Sequence, residues 1–363
     1  MEMRRVMAGE ELSCFLMVLM EGCTIGLTIM ASTIMSRGMS PYVFVVYTNA
    51  LSSIFLLPHV FTFFTSKRDS WQSMTSLLTR CFILGLIGVT IAQNLAYVGL
   101  SYSSPILVCG MGNLIPSVSF IISVISRKAK IEWRSSSFKA KVAGTLISII
   151  GALSITLYKG PVIKYSPSRQ LQLHLSRTLF LFSSSHENWI LGAILLAAAS
   201  FTISIWNIIQ VKTLQAYPEP MTIVSFYILF GTILSAALSV YVERDISAWV
   251  LKPNMELLVI ILTAVFSSTI RSRVQKWCMR GKGPFYVPMF KPMGIPIATM
   301  CGCLFFAYTF HYGSIMGAFV VGLGTYMVMW GQITEDDVYK DNDNAGLRVP
   351  DEKIPLLQED SQV

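Results

Sequence analysis

Apolar runs separated by short polar punctuation fill the first 330 positions of this 363-residue chain. A helix that crosses a bilayer needs roughly 20 apolar residues. Ten runs meet that length, at about 12–35, 41–64, 79–100, 104–126, 139–158, 189–211, 220–241, 255–277, 284–307 and 311–330. Links such as Gly99 to Ser104 and Tyr308 to His311 are short enough to demand tight hairpins between neighbouring helices. Loops of that size leave no room for an extramembrane domain.

The ninth run carries a second pattern. From Gly283 to Pro296 it places prolines at 284, 288, 292 and 296, with Lys291 inside an otherwise apolar stretch. Residues four apart share a helix face, and an interior proline removes the hydrogen bond to the carbonyl four residues earlier. The freed carbonyls fall on one stripe. In a bilayer such backbone survives only against protein or beside a wet cavity, so this segment is expected to line a pathway.

Internal repetition gives the interruption a partner. Pro41 and Pro105 are 64 apart, as are Pro220 and Pro284, and the two pairs are offset by 179. Gly144 and Gly151 recur as Gly317 and Gly324 with an offset of 173. Two halves of five helices follow, and an odd number of crossings inverts the second half. The fold class is an all-α polytopic membrane protein with ten transmembrane helices in two inverted five-helix repeats. Inverted repeats with interrupted helices at matching places point to a secondary transporter with a midplane site. The matching segment is Gly110 to Pro116 in run four; the two are expected to face each other across a polar cavity, with Lys291 and Asn113 near its middle. Pro116, Pro288, Pro292 and Pro296 are the expected helix interruptions.

Charge sets the orientation. The chain is 53% apolar and 13% charged, with a mean hydropathy of +0.58, against roughly 25% charged residues in soluble proteins. The net charge of +8 sits in loops and tails, where it reads as a topology signal, and no nucleic-acid partner is expected. With Met1 in the cytosol, 20 of the 28 Lys and Arg fall inside, 7 outside, and Lys291 remains in the membrane. Both termini are therefore expected in the cytosol. The boundaries are 1–11 for the cytosolic N-terminus, 12–158 for the first repeat, 159–188 for a non-cytosolic linker, 189–330 for the second repeat and 331–363 for a disordered cytosolic tail. The seven cysteines lie in or beside the apolar runs, which implies no disulfide framework. No metal or cofactor motif is present, nor any nucleophile and base arrangement of an enzyme. The rival to transport is a non-transporting scaffold or a lipid-modifying membrane protein. Glu352 to Leu357 matches an acidic dileucine sorting pattern; the plasma membrane is expected, with the vacuolar membrane as the alternative.

The runs Gly38 to Tyr47, Glu132 to Ser137, Leu157 to Pro161, Asn188-Trp189 and Gly283 to Pro292 resemble the plant walls-are-thin-related proteins. These nodulin-like or UMAMIT transporters are EamA-type members of the drug/metabolite transporter superfamily. The likeness runs from about Glu21 to Gly331. It implies ten helices in two EamA-type repeats and movement of amino acids or related small metabolites, auxin-like compounds included. It also implies three departures: Ser32 where the family often carries a lysine, Ala307 to His311 in place of an acidic turn, and Arg271 and Arg273 where small or neutral residues are usual.

Each polar residue at membrane depth carries two readings. Lys291 either attracts a substrate carboxylate or serves as a structural ion-pair partner or snorkelling base. Glu21 either pairs with it structurally, couples protons, or contacts substrate. Asn49, Gln93, Asn94, Asn113 and Asn207 either line the substrate path or bond helix to helix, as does Gln210; Trp206 either walls a pocket or packs. Arg271, Arg273 and Lys276 are expected to snorkel to the cytosolic interface. The expected partners are a small-molecule substrate and the lipid bilayer, with no cofactor and no metal, and the oligomeric state stays open.

Overall fold

The computed structural model describes residues 2–66, 71–126, 135–157, 162–163, 188–217, 220–251, 254–282, 286–305 and 310–344. Among them nine helical stretches are long and apolar enough to cross a membrane: Leu12–Ser36, Pro41–Phe61, Met74–Ser101, Pro105–Ile125, Ser136–Ser154, Trp189–Ala216, Met221–Val242, Met255–Gln275 and Ile315–Glu335. The predicted run at 284–307 is also present, but broken. It consists of a helix Tyr286–Met289, a 3-10 turn Lys291–Met293 and a helix Gly294–Phe305. Counting it as span nine, the chain is an all-helical, integral multi-pass membrane protein of ten spans. Two strands of two residues, Val162–Ile163 and Phe310–His311, pair antiparallel.

Contacts between the halves have the reciprocity that a two-fold axis imposes, where residue i meets j of the mate and j meets i. A Cβ on Gly144 would lie 2.6 Å from the Gly324 carbonyl, and one on Gly151 would lie 3.0 Å from the Gly317 carbonyl. Each glycine thus meets the repeat mate of the other, and spans five and ten pack backbone to backbone. Ser53 and Thr232, mates at the 179 offset, hydrogen-bond to each other at 3.1 Å. They sit on the axis. The close approach of Gly85 to Gly231 recurs as the Ser52 hydroxyl donating to the Ala264 carbonyl at 3.5 Å, with both pairs related by the same offset.

Both halves also break their helices at equivalent places. Span four turns at Asn113 and Leu114, between helices Pro105–Gly112 and Ile115–Ile125. Shifted by 179, this matches the turn at Phe290 to Met293 in span nine. A second matched irregularity was invisible to proline and glycine spacing: spans three and eight contain π-helical segments, Gly85–Gln93 and Phe266–Arg271. The second maps inside the first under the offset. Such segments are rare and frequent at functional sites.

The last helix runs Tyr312–Asn344, past the expected repeat end at 330. Residues 331–344, expected to be disordered, are therefore helical. They contain neither glycine after Gly331 nor proline, and Glu335 forms an ion pair with Lys141 of span five. The remaining tail and most of the 159–188 linker lie outside the described residues.

Candidate functional site

Span one, Glu2–Ser36, is apolar where it crosses and carries Glu21 with 6% of its surface exposed. One turn earlier, Met17 packs with Cys278, Val287, Val274 and Phe290. Val274 follows Arg271 by three positions and Phe290 precedes Lys291, so this apolar layer brings the three charged residues to one level. One turn later, Ile25 joins the main core with Leu107, Met111, Ile295 and Ala298. Glu21, Arg271 and Lys291 thus form a charged layer between two apolar ones.

Arg271 and Lys291 both lie within electrostatic range of Glu21 and of each other. Arg271 is also within electrostatic range of Tyr97 of span three, whose ring meets Phe44 edge-on at 5.0 Å. Yet no hydrogen bond or ion pair joins the three charges to one another among the described residues.

Arg271 ends the π segment, four residues before the apolar span closes at Gln275, and is half-buried; Arg273 is exposed, and the side chain of Lys276 lies outside the described ones.

The two interrupted segments do meet, at an apolar contact. A Cβ on Gly294 would lie 3.3 Å from Ile25 and 3.9 Å from the Cys109 sulfur. Asn113, 2% exposed, donates its amide to the Cys109 carbonyl at 3.0 Å. Open space lies at the neighbouring Gly112, where a Cβ would meet nothing within 4 Å. The carbonyls around the break receive hydroxyl donors from neighbouring spans: Met111 from Ser200 at 2.7 Å, Asn113 from Thr325 at 2.6 Å and Ile115 from Ser204 at 3.1 Å.

The other sequence candidates divide. Asn49 donates to Gln93 at 2.7 Å and to the Val45 carbonyl at 2.8 Å. Asn94 donates to the Thr90 carbonyl and, at 3.4 Å, to Ser235 of span seven. These bonds tie spans two, three and seven together. Asn207 is half-buried beside Trp206, whose ring lies against Gly88 and meets Tyr227 edge-on at 5.7 Å. Pro292 is buried and Pro296 exposed; Pro116 sits in the first turn of its helix. Pro288 lies in the helix Tyr286–Met289.

Comparison with known proteins agrees with this architecture. The first five spans, residues 12–157, match the EamA-like transporter family. The chain belongs to the WAT1-related proteins of that transporter group. One WAT1-related protein of Arabidopsis thaliana is 45% identical over 361 residues, covering 96% of each chain. A second is 46% identical over 350 residues, covering 94% of this chain and 93% of its own. A solved crystal structure superimposes with a TM-score of 0.52 at 12% identity, covering 89% of this chain and 98% of the other; this likeness concerns the fold alone.

Proposed function

We propose that the protein is a secondary transporter that moves amino acids or related small metabolites by alternating access, with the two repeats rocking about the layer of Glu21, Arg271 and Lys291. The observation that carries this reading is a set of ionisable side chains at membrane depth that are held near one another without closing into pairs. Unpaired charge in a low-dielectric interior costs several kcal/mol per ion, so a polar occupant belongs among these groups. Paired and interrupted inverted repeats supply the moving parts. The excess of Lys and Arg on one side supports cytosolic termini, and the even number of spans keeps both on the same side. The plasma membrane is the proposed location; the dileucine pattern at Glu352 to Leu357, which lies outside the described residues, favours the vacuolar membrane as the alternative.

The test is flux of a labelled panel of amino acids and small carboxylates into proteoliposomes holding the purified protein. Saturable movement of at least one solute is expected. Absence of flux across the whole panel overturns the reading in favour of a scaffold or a lipid-modifying protein.

A further inference from the structure

Within that transport reading, on which this inference rests, the composition of the charged layer narrows the substrate. It holds two cations, Arg271 and Lys291, and one anion, Glu21, delivered from spans eight, nine and one. Tyr97 of span three and Cys109 of span four lie within electrostatic range of it. The repeat mates of the three charges under the 179 offset are Ser200 for Glu21, Ala92 for Arg271 and Gly112 for Lys291. These mates are uncharged, and at Gly112 there is open space. With both cations and the anion ionised, the layer carries an excess of one positive charge between its two apolar neighbours.

A neutral zwitterion matches one cation and the anion, and leaves the second cation unpaired. A monocarboxylate leaves both the carboxylate-binding excess and Glu21 unmatched. A solute with two carboxylates and one ammonium matches all three groups, and its net charge of minus one neutralises the layer. We propose that Arg271 determines specificity here, and that Glu21, Arg271 and Lys291 form a site for a dicarboxylic α-amino acid. Its two carboxylates meet Arg271 and Lys291, and its ammonium meets Glu21. The guanidinium, with its planar fork of donors, is suited to grip a carboxylate with two parallel bonds. The π segment ends at Arg271, and such segments are frequent at functional sites.

The experiment compares L-glutamate with L-glutamine, which replaces one carboxylate by an amide of the same shape, and with glutarate, which lacks the ammonium. Binding to the full-length protein in detergent is read as a ligand-dependent rise in Tm at constant ionic strength, and flux is read in proteoliposomes. Glutamate is expected to bind at least tenfold tighter than glutamine or glutarate. Arg271→Gln is expected to abolish the preference over glutamine, and Arg271→Lys to keep part of it. Glu21→Gln is expected to remove the preference over glutarate, which keeps the test decisive should Arg271→Gln fail to fold. Equal affinity of the wild type for glutamate and glutamine overturns the proposal, as does an unchanged preference in a folded Arg271→Gln protein. Binding with the expected preference but without flux leaves the site standing and overturns the transport reading. Flux without that preference does the reverse.

Discussion

Thr325 gives span four what an unbroken helix would give itself, a donor for the Asn113 carbonyl, at 2.6 Å and in a side chain 1% exposed. Orphaning a buried carbonyl costs about 1–3 kcal/mol in soluble proteins, and interhelical bonds in membranes average about 0.6 kcal/mol. Thr325→Val, nearly isosteric, should therefore destabilise the protein by about 1 kcal/mol, read as a small fall in Tm in detergent with the fold retained. A Tm equal to wild type removes Thr325 from the support of the break. At Lys291 the expectation concerns activity: Lys291→Ala, at normal abundance, should lower flux of anionic and zwitterionic solutes at least tenfold, about 1.4 kcal/mol in transition-state terms. Unchanged flux takes Lys291 out of the pathway. Single residues were unevenly legible in the sequence. Glu21 and Lys291 stand out because charge within an apolar run is expensive. Arg271 was less legible, because it lies near the end of its apolar run and reads as a snorkelling base; its half-burial and its nearness to Glu21 and Lys291 appear only in the folded chain.

At the scale of elements, the glycine pairs of spans five and ten allow their backbones to touch. A methyl on Gly144 would sit 2.6 Å from the Gly324 carbonyl and 2.8 Å from the Val328 nitrogen. Backbone atoms cannot yield as a flexible side chain can. Gly144→Ala should therefore push the helices apart and cost about 1–3 kcal/mol, the usual range for overpacking; a thermal melt of the two proteins side by side measures it, and no loss of stability contradicts the close packing. The breaks in spans four and nine were legible from prolines and glycines because those residues lack a donor or a side chain. The π segments were not. Their sequences, GLIGVTIAQ and FSSTIR, contain no proline, and the wider turn appears only when both halves are laid on the same axis. Ser200, Ser204 and Thr325 satisfy the carbonyls of the interruption in span four, so broken backbone here packs on protein, the first of the two settings that a bilayer tolerates.

Across the whole molecule the two halves share their backbone plan and differ in charge. Repeat mates meet at Ser53 and Thr232, and in spans five and ten each glycine meets the mate of the other. In the proposed mechanism, rocking of the two halves exposes the charged layer first to one side and then to the other. The repeat itself could be read from proline and glycine offsets alone; the meeting of Glu21 from the first half with Arg271 and Lys291 from the second could not, since it depends on how the spans pack. Counterflow tests the central claim most directly. Proteoliposomes are preloaded with an unlabelled transported solute and diluted into a trace of the labelled one. A carrier that alternates access returns label inward as unlabelled solute leaves, so the account predicts a transient accumulation above equilibrium that then decays. Label that only rises to equilibrium, or never enters, contradicts it.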